Sequence, residues 1–233
     1  MTALGFAGVY HLVFFGLLIP VGAIRSARRL DRVPLPPKRR YFLAVIIQQL
    51  VFLGISVAVA RRTGIELFPA VALDPGDLIL GASLLALAVF TLLPGWRQRV
   101  RERERKVYLF MPRDGVELGL WFGIALAAGI GEEVTYRGVM YMLLLRVLGH
   151  PLPAVAMAVA AFSVSHWVQG GRSAAIIALF ALGFHLVVLA TGSLYVAMGV
   201  HVLYDATAGV MYRRFGRRYD YPLAPLPAPA EAR

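Results

Sequence analysis

Three short stretches place ionisable side chains inside otherwise apolar runs. GIGEEVTYRG holds Glu132, Glu133 and Arg137, AFSVSHW holds His166, and GVHVLYD holds His201 and Asp205. Such groups are expensive inside an apolar helix, so each is a functional suspect. Glu133 and Arg137 are four apart, on one helix face and in the order that favours an ion pair; they read as structural support. Glu132 sits about 100° round the same helix, with Tyr136 as its own i+4 neighbour, and is left for another task. His201 and Asp205 are again four apart and can enter one cavity. Phe162 lies one turn before His166, as a wall against its ring.

One unpaired glutamate, two histidines and a further acid, carried on three helices, form an inventory for activating water. A carboxylate held away from bulk solvent is a stronger base. A histidine beside it can share or orient the water's proton. A second histidine with its i+4 neighbour can hydrogen-bond the oxyanion that forms when water attacks a carbonyl. The bland alternative is a polar network that only ties three helices together. Other polar positions read as packing or boundary residues: His185 bonded to a backbone carbonyl, His150 in a loop, and His11 and Arg146 near segment ends. Trp96, Trp121 and Trp167 read as interface anchors, and Gly119, Gly123, Gly129 and Gly131 as sites of close helix packing.

The elements that must position these residues are membrane helices. Apolar residues make up 59% of the 233 and charged residues 16%, with a mean hydropathy of +0.68, too little charge to cover a soluble surface. The absence of cysteine excludes disulfides, thiolate metal sites and a thiol nucleophile. The net charge of +11 would suit nucleic acid, but the basic residues sit in short loops. Residues 25–40 hold Arg25, Arg28, Arg29, Arg32, Lys38, Arg39 and Arg40; 95–114 holds a second cluster; Arg213, Arg214, Arg217 and Arg218 close the last apolar segment. The positive-inside rule and contact with anionic membrane lipid account for them, with no nucleic acid partner.

Segments long enough to span, against the ~20 residues that a crossing needs, fall at about 3–24, 41–60, 77–94, 116–148, 152–168, 173–191 and 193–212. The fold class is all-α, a polytopic transmembrane bundle of seven spans. Residues 116–148 would be roughly 50 Å long as one helix, and a split at their charged cluster would make eight. Basic loops and tail on the cytoplasmic side, with 61–76 outside, put the N-terminus out and the C-terminus in. The first segment lacks a basic n-region and cleavage site and reads as a span. Residues 1–215 form a single integral-membrane domain, and the Pro/Ala-rich 216–233 a disordered cytoplasmic tail.

In order, the chain reads EExxxR at Glu132–Arg137, FxxxH at Phe162–His166 and HxxxD at His201–Asp205, the last preceded by TGSLYVAMGV. Over about 116–212 it resembles the CPBP intramembrane proteases, which include the CAAX prenyl endopeptidases and bacterial Abi or bacteriocin-immunity proteins. The first three spans match nothing comparable. The resemblance implies peptide hydrolysis within the membrane: Glu132 and His166 activate water, His201 and Asp205 stabilise the oxyanion, and Glu133 and Arg137 are structural. Asp205 stands where asparagine also occurs, and donates a hydrogen bond only when protonated; ionised, it would orient or charge His201.

The family was long classed with metalloproteases, and Glu132, His166 and His201 could hold zinc with a position open for water. With no HExxH, and a direct glutamate base needing no ion, no tightly bound metal is expected. Two other functions compete with an endopeptidase acting on a membrane-associated peptide or protein. One is a catalytically silent binding or immunity protein that occupies a partner; the other is a proton-coupled transporter using the same groups as a relay. Arg-over-Lys and Ala-rich usage suggests a bacterial cytoplasmic membrane, where processing of prenylated proteins is not expected.

Overall fold

The computed structural model describes residues 4–70, 72–222 and 224, and these are helical or connecting throughout, with no strand among them. Seven helical rods follow one another: α1 (Gly5–Leu30), α2 (Lys38–Thr63), α3 (Pro75–Arg101), α4 (Gly115–Leu148), α5 (Pro151–Ser165), α6 (Gly171–Thr191) and α7 (Tyr195–Arg218). Five of them (α1 to α4 and α6) are long and apolar enough to cross a membrane. The 15 residues of α5 make about 22 Å of helix, short of the ~30 Å hydrocarbon core. The apolar run of α7 is diluted by His201, Asp205 and three tyrosines.

No split occurs in α4. It is one rod of 34 residues, but its winding changes to π over Glu133–Met140. The wider i→i+5 turn is rare and concentrates at functional sites. A π turn also interrupts α1 at Phe14–Leu18, and Phe15 from that turn packs on Tyr136 and Met140 of α4. Gly149 and Gly192 end α4 and α6 at φ of 65° and 64°, a left-handed conformation that costs glycine nothing.

Packing centres on α4, which lies against α2 on one side and α7 on the other, while α7 also lies against α3. Glycine permits the closest approaches. A Cβ on Gly129 would stand 2.5 Å from Val202 Cγ2 and 2.8 Å from the Val202 backbone nitrogen. Gly131 meets the Gln49 carbonyl in the same way, at 3.3 Å, and Gly123 meets Ile46 at 3.0 Å, whereas Gly119 faces open space. Gly129→Ala is therefore expected to force α4 from α7 and cost about 1–3 kcal/mol. Its unfolding midpoint in detergent should fall; an unchanged midpoint would show that the helices part freely.

The basic regions come together at one end of the bundle. Arg39 pairs with Asp114 at 2.7 Å, Lys106 with Asp31 at 2.8 Å, and Lys38 donates to the Met111 carbonyl at 2.7 Å. Arg105 donates to the carbonyls of Leu30 and Val33, and Tyr221 to that of Glu104. Asp114 caps α4 by accepting from the Glu117 N–H at 2.8 Å. That bond, and then Arg39, hold its carboxyl below the usual range. Lys38 is buried over the Tyr108 ring, and Val107, Leu109 and Met111 join a core with Trp96, Tyr212 and Phe215. Many of these cations thus serve the protein itself, while Arg25, Arg28, Arg29, Arg32 and Arg40 remain exposed.

Two expectations change here. Trp96 and Trp121 are buried rather than at an interface. The chain also stays ordered past 215: α7 runs to Arg218 and Tyr221 is buried. Residues 223 and 225–233 of the Pro/Ala-rich tail lie outside the described residues.

Candidate active site

The π-wound stretch of α4 begins at the glutamate pair. Glu133 and Arg137 form the expected ion pair, Oε1 to Nη1 at 3.1 Å, with both side chains wholly buried. Arg137 also donates to the Ala181 carbonyl at 3.3 Å and lies over the Phe162 ring at 4.3 Å. Phe162 in turn sets its ring against His166, centroids 4.5 Å apart. It is thus a wall for His166 and a spacer between that ring and the guanidinium. Glu133 has a second role that its spacing did not reveal: His201 Nδ1 lies 2.8 Å from the same Oε1. A carboxylate only accepts, so Nδ1 carries the proton and Nε2 is turned away from the pair.

His166 is fixed by comparable logic. It ends α5, and its Nδ1 lies 2.8 Å from the Phe162 carbonyl, another acceptor. Nδ1 therefore donates, leaving the Nε2 lone pair of the neutral ring to face the cavity.

Glu132 faces away from Arg137, as its place on the helix predicts. Its Oε2 lies 3.7 Å from His166 Nε2 and 3.7 Å from His201 Nε2. Asp205 Oδ2 lies 3.8 Å from the same nitrogen of His201. These separations are too long for direct hydrogen bonds and leave one small region bordered by two carboxylates and two imidazole nitrogens. Among the described residues no group of three His, Asp or Glu is gathered closely enough to hold a metal ion. No step below passes through a metal, and the chelator arm of the test below decides whether one takes part.

All four groups line a cavity of about 570 Å³. Apolar residues from α1, α2, α3 and α6 supply much of its wall, and Leu30, Tyr41 and Phe110 carry it to the end of the bundle where the basic loops gather. Trp121 closes the α4–α7 side, donating from Nε1 to the Asp205 carbonyl at 2.7 Å. Its indole lies where a side chain on Gly209 would be.

Sequence reasoning missed Gln49, whose Nε2 is 2.6 Å from Glu132 Oε1; the polar pair Gln48-Gln49 in an apolar run was the available signal. It also missed Ser56 and His11. Ser56 bonds Thr135 Oγ1 at 2.9 Å, and His11 Nε2 lies 3.3 Å from the Thr135 carbonyl. His11 is buried rather than near an interface. His185 is buried against the Tyr141 ring and its Nε2 has no hydrogen-bond partner among the described residues, so the expected carbonyl bond is not found at that nitrogen. Arg146 donates to the carbonyls of Thr63 and Gly64, at the end of α2.

A helical bundle with membrane-spanning rods and a buried cluster of acids and histidines belongs to the class of integral membrane proteins that keep polar chemistry within the bundle. Residues 114–207 match the model of the Rce1-like family, described as type II CAAX prenyl endopeptidase Rce1-like. The matched segment contains all three motifs, and its similarity to that family supports a CAAX-type intramembrane endopeptidase in general. No curated protein and no solved structure matches the chain.

Proposed function

We propose that the protein is an intramembrane endopeptidase that hydrolyses a peptide bond in a membrane-associated peptide or protein, with Glu132 as the base. The observation that carries this is the single Glu132 oxygen equidistant, at 3.7 Å, from Nε2 of His166 and of His201 on the wall of the cavity. A water held by Glu132 Oε2 and His166 Nε2 loses its proton to them as its oxygen attacks the carbonyl carbon. The carbonyl oxygen gains negative charge and turns toward His201. With a second proton on Nε2, balanced by Glu133 and Asp205, His201 donates to that oxyanion. Collapse of the tetrahedral intermediate breaks the C–N bond, and the proton taken from water passes to the leaving amine.

The basic end of the bundle is proposed to be cytoplasmic, which opens the cavity to that side and agrees with the positive-inside rule. The chain has no cysteine, so Ser165→Cys, on the cavity wall, gives an unambiguous label. It should react with an impermeant maleimide from the cytoplasmic face alone; reaction only from outside would invert the proposed topology.

The direct test is incubation of the purified protein in detergent with a membrane-peptide library, with and without chelator, and mass spectrometry of the products. New peptide termini that persist in chelator support the glutamate base. Cleavage abolished by chelator and restored by zinc would overturn the metal-free mechanism. Intact peptides retained on the protein would favour the binding or immunity role.

A further inference from the structure

We propose that Gln49 is a positioning residue for Glu132, supplied from outside the 114–207 segment; this rests on the reading of Glu132 as the base. Oε1 of Glu132 can only accept, so the group 2.6 Å away is the Gln49 amide N–H. Gln49 is 8% exposed, and its own Oε1 is buried without a hydrogen-bond partner among the described residues. Simple packing gives no reason to retain that cost, since an apolar residue of the same size would avoid it. Its backbone cannot retreat readily, because its carbonyl lies against Gly131, directly before Glu132.

The terminal torsion of a glutamate is broad and roughly two-fold, so nothing intrinsic sets the plane of the carboxylate. Gln49 sets it. By occupying Oε1 it commits that oxygen and leaves Oε2 as the one directed at the two imidazole nitrogens. It therefore acts on the rate through Glu132 rather than by touching substrate.

The test uses the full chain and Gln49→Met, which keeps length and removes the donor. Subtracting the infrared spectrum of Glu132→Gln from wild type isolates the Glu132 carboxylate stretch, and the same subtraction is made in the Gln49→Met background. The carboxylate band is expected to shift and broaden. With a cleaved peptide, kcat should fall about 10–100-fold at a KM within about twofold of wild type. Gln49→Met should add little to Glu132→Gln. An unmoved band with unchanged kcat would overturn the role of Gln49 while leaving Glu132 as base. A moved band in a protein that cleaves nothing would uphold the positioning contact and sink the protease reading instead. Gln49→Asn, which keeps the amide one methylene short, should shift the same band, so a poorly folding Met variant does not end the test.

Discussion

Glu132→Gln is expected to lower kcat for peptide cleavage by about 10²–10⁴-fold, the range typical for loss of a general base, with KM nearly unchanged. Glutamine keeps the volume and one acceptor oxygen but cannot take a proton from water. Because the lost interaction belongs to the transition state, kcat and kcat/KM should fall together. The unfolding midpoint should stay near wild type, since Glu132 carries neither the buried ion pair nor a backbone contact and the cavity wall keeps its shape. A variant that cleaves at the wild-type rate would remove Glu132 from the chemistry. A variant that loses both cleavage and fold would mean that Glu132 is a packing element.

The second large effect concerns the pair behind the site. Arg137→Met leaves Glu133 wholly buried with one of its two partners gone. Removing one member of a buried pair typically costs about 3–5 kcal/mol, and denaturation in detergent should register a loss of that order. The double variant Glu133→Met with Arg137→Met removes both charges and should recover most of that stability. Activity should not return with it, because His201 then has no acceptor at Nδ1 and Nε2 is no longer aimed into the cavity. A double variant both stable and fully active would reduce Glu133 and Arg137 to packing. If the single variant matched wild-type stability, water would have to reach the pair.

What could be read in advance depended on whether an interaction is local. Glu133 and Arg137 meet because four residues of helix bring them together, and that survives the change to π winding. The wall formed by Phe162 against His166 is local for the same reason. The approach of Glu132 to His166 and His201 spans three helices, so only the resemblance could suggest it. Gln48-Gln49 gave only a weak signal, because a glutamine in an apolar helix is tolerated in many settings and the partner of Gln49 lies 83 positions away. The π turn itself could not be seen, since a helical pattern is read with a 3.6 period and a local widening leaves the apolar run intact. The tryptophans were misplaced for a related reason: an indole suits a membrane interface, but Trp121 found its hydrogen-bond partner on α7 inside the bundle.

The proposed site draws on α2, α4, α5 and α7, from Gln49 to Asp205. That spread sets an order in time. During synthesis α4 enters the membrane with Glu132 and Glu133 well before His201 exists, and the acceptor at Glu133 Oε1 has only Arg137 to serve. The second imidazole arrives only with α7, after α4, α5 and α6 have been made. A stalled or truncated chain ending before α7 therefore holds the proposed base without the group proposed to receive the oxyanion. On the proposed mechanism, hydrolytic competence therefore comes only once α7 has joined α4 and α5.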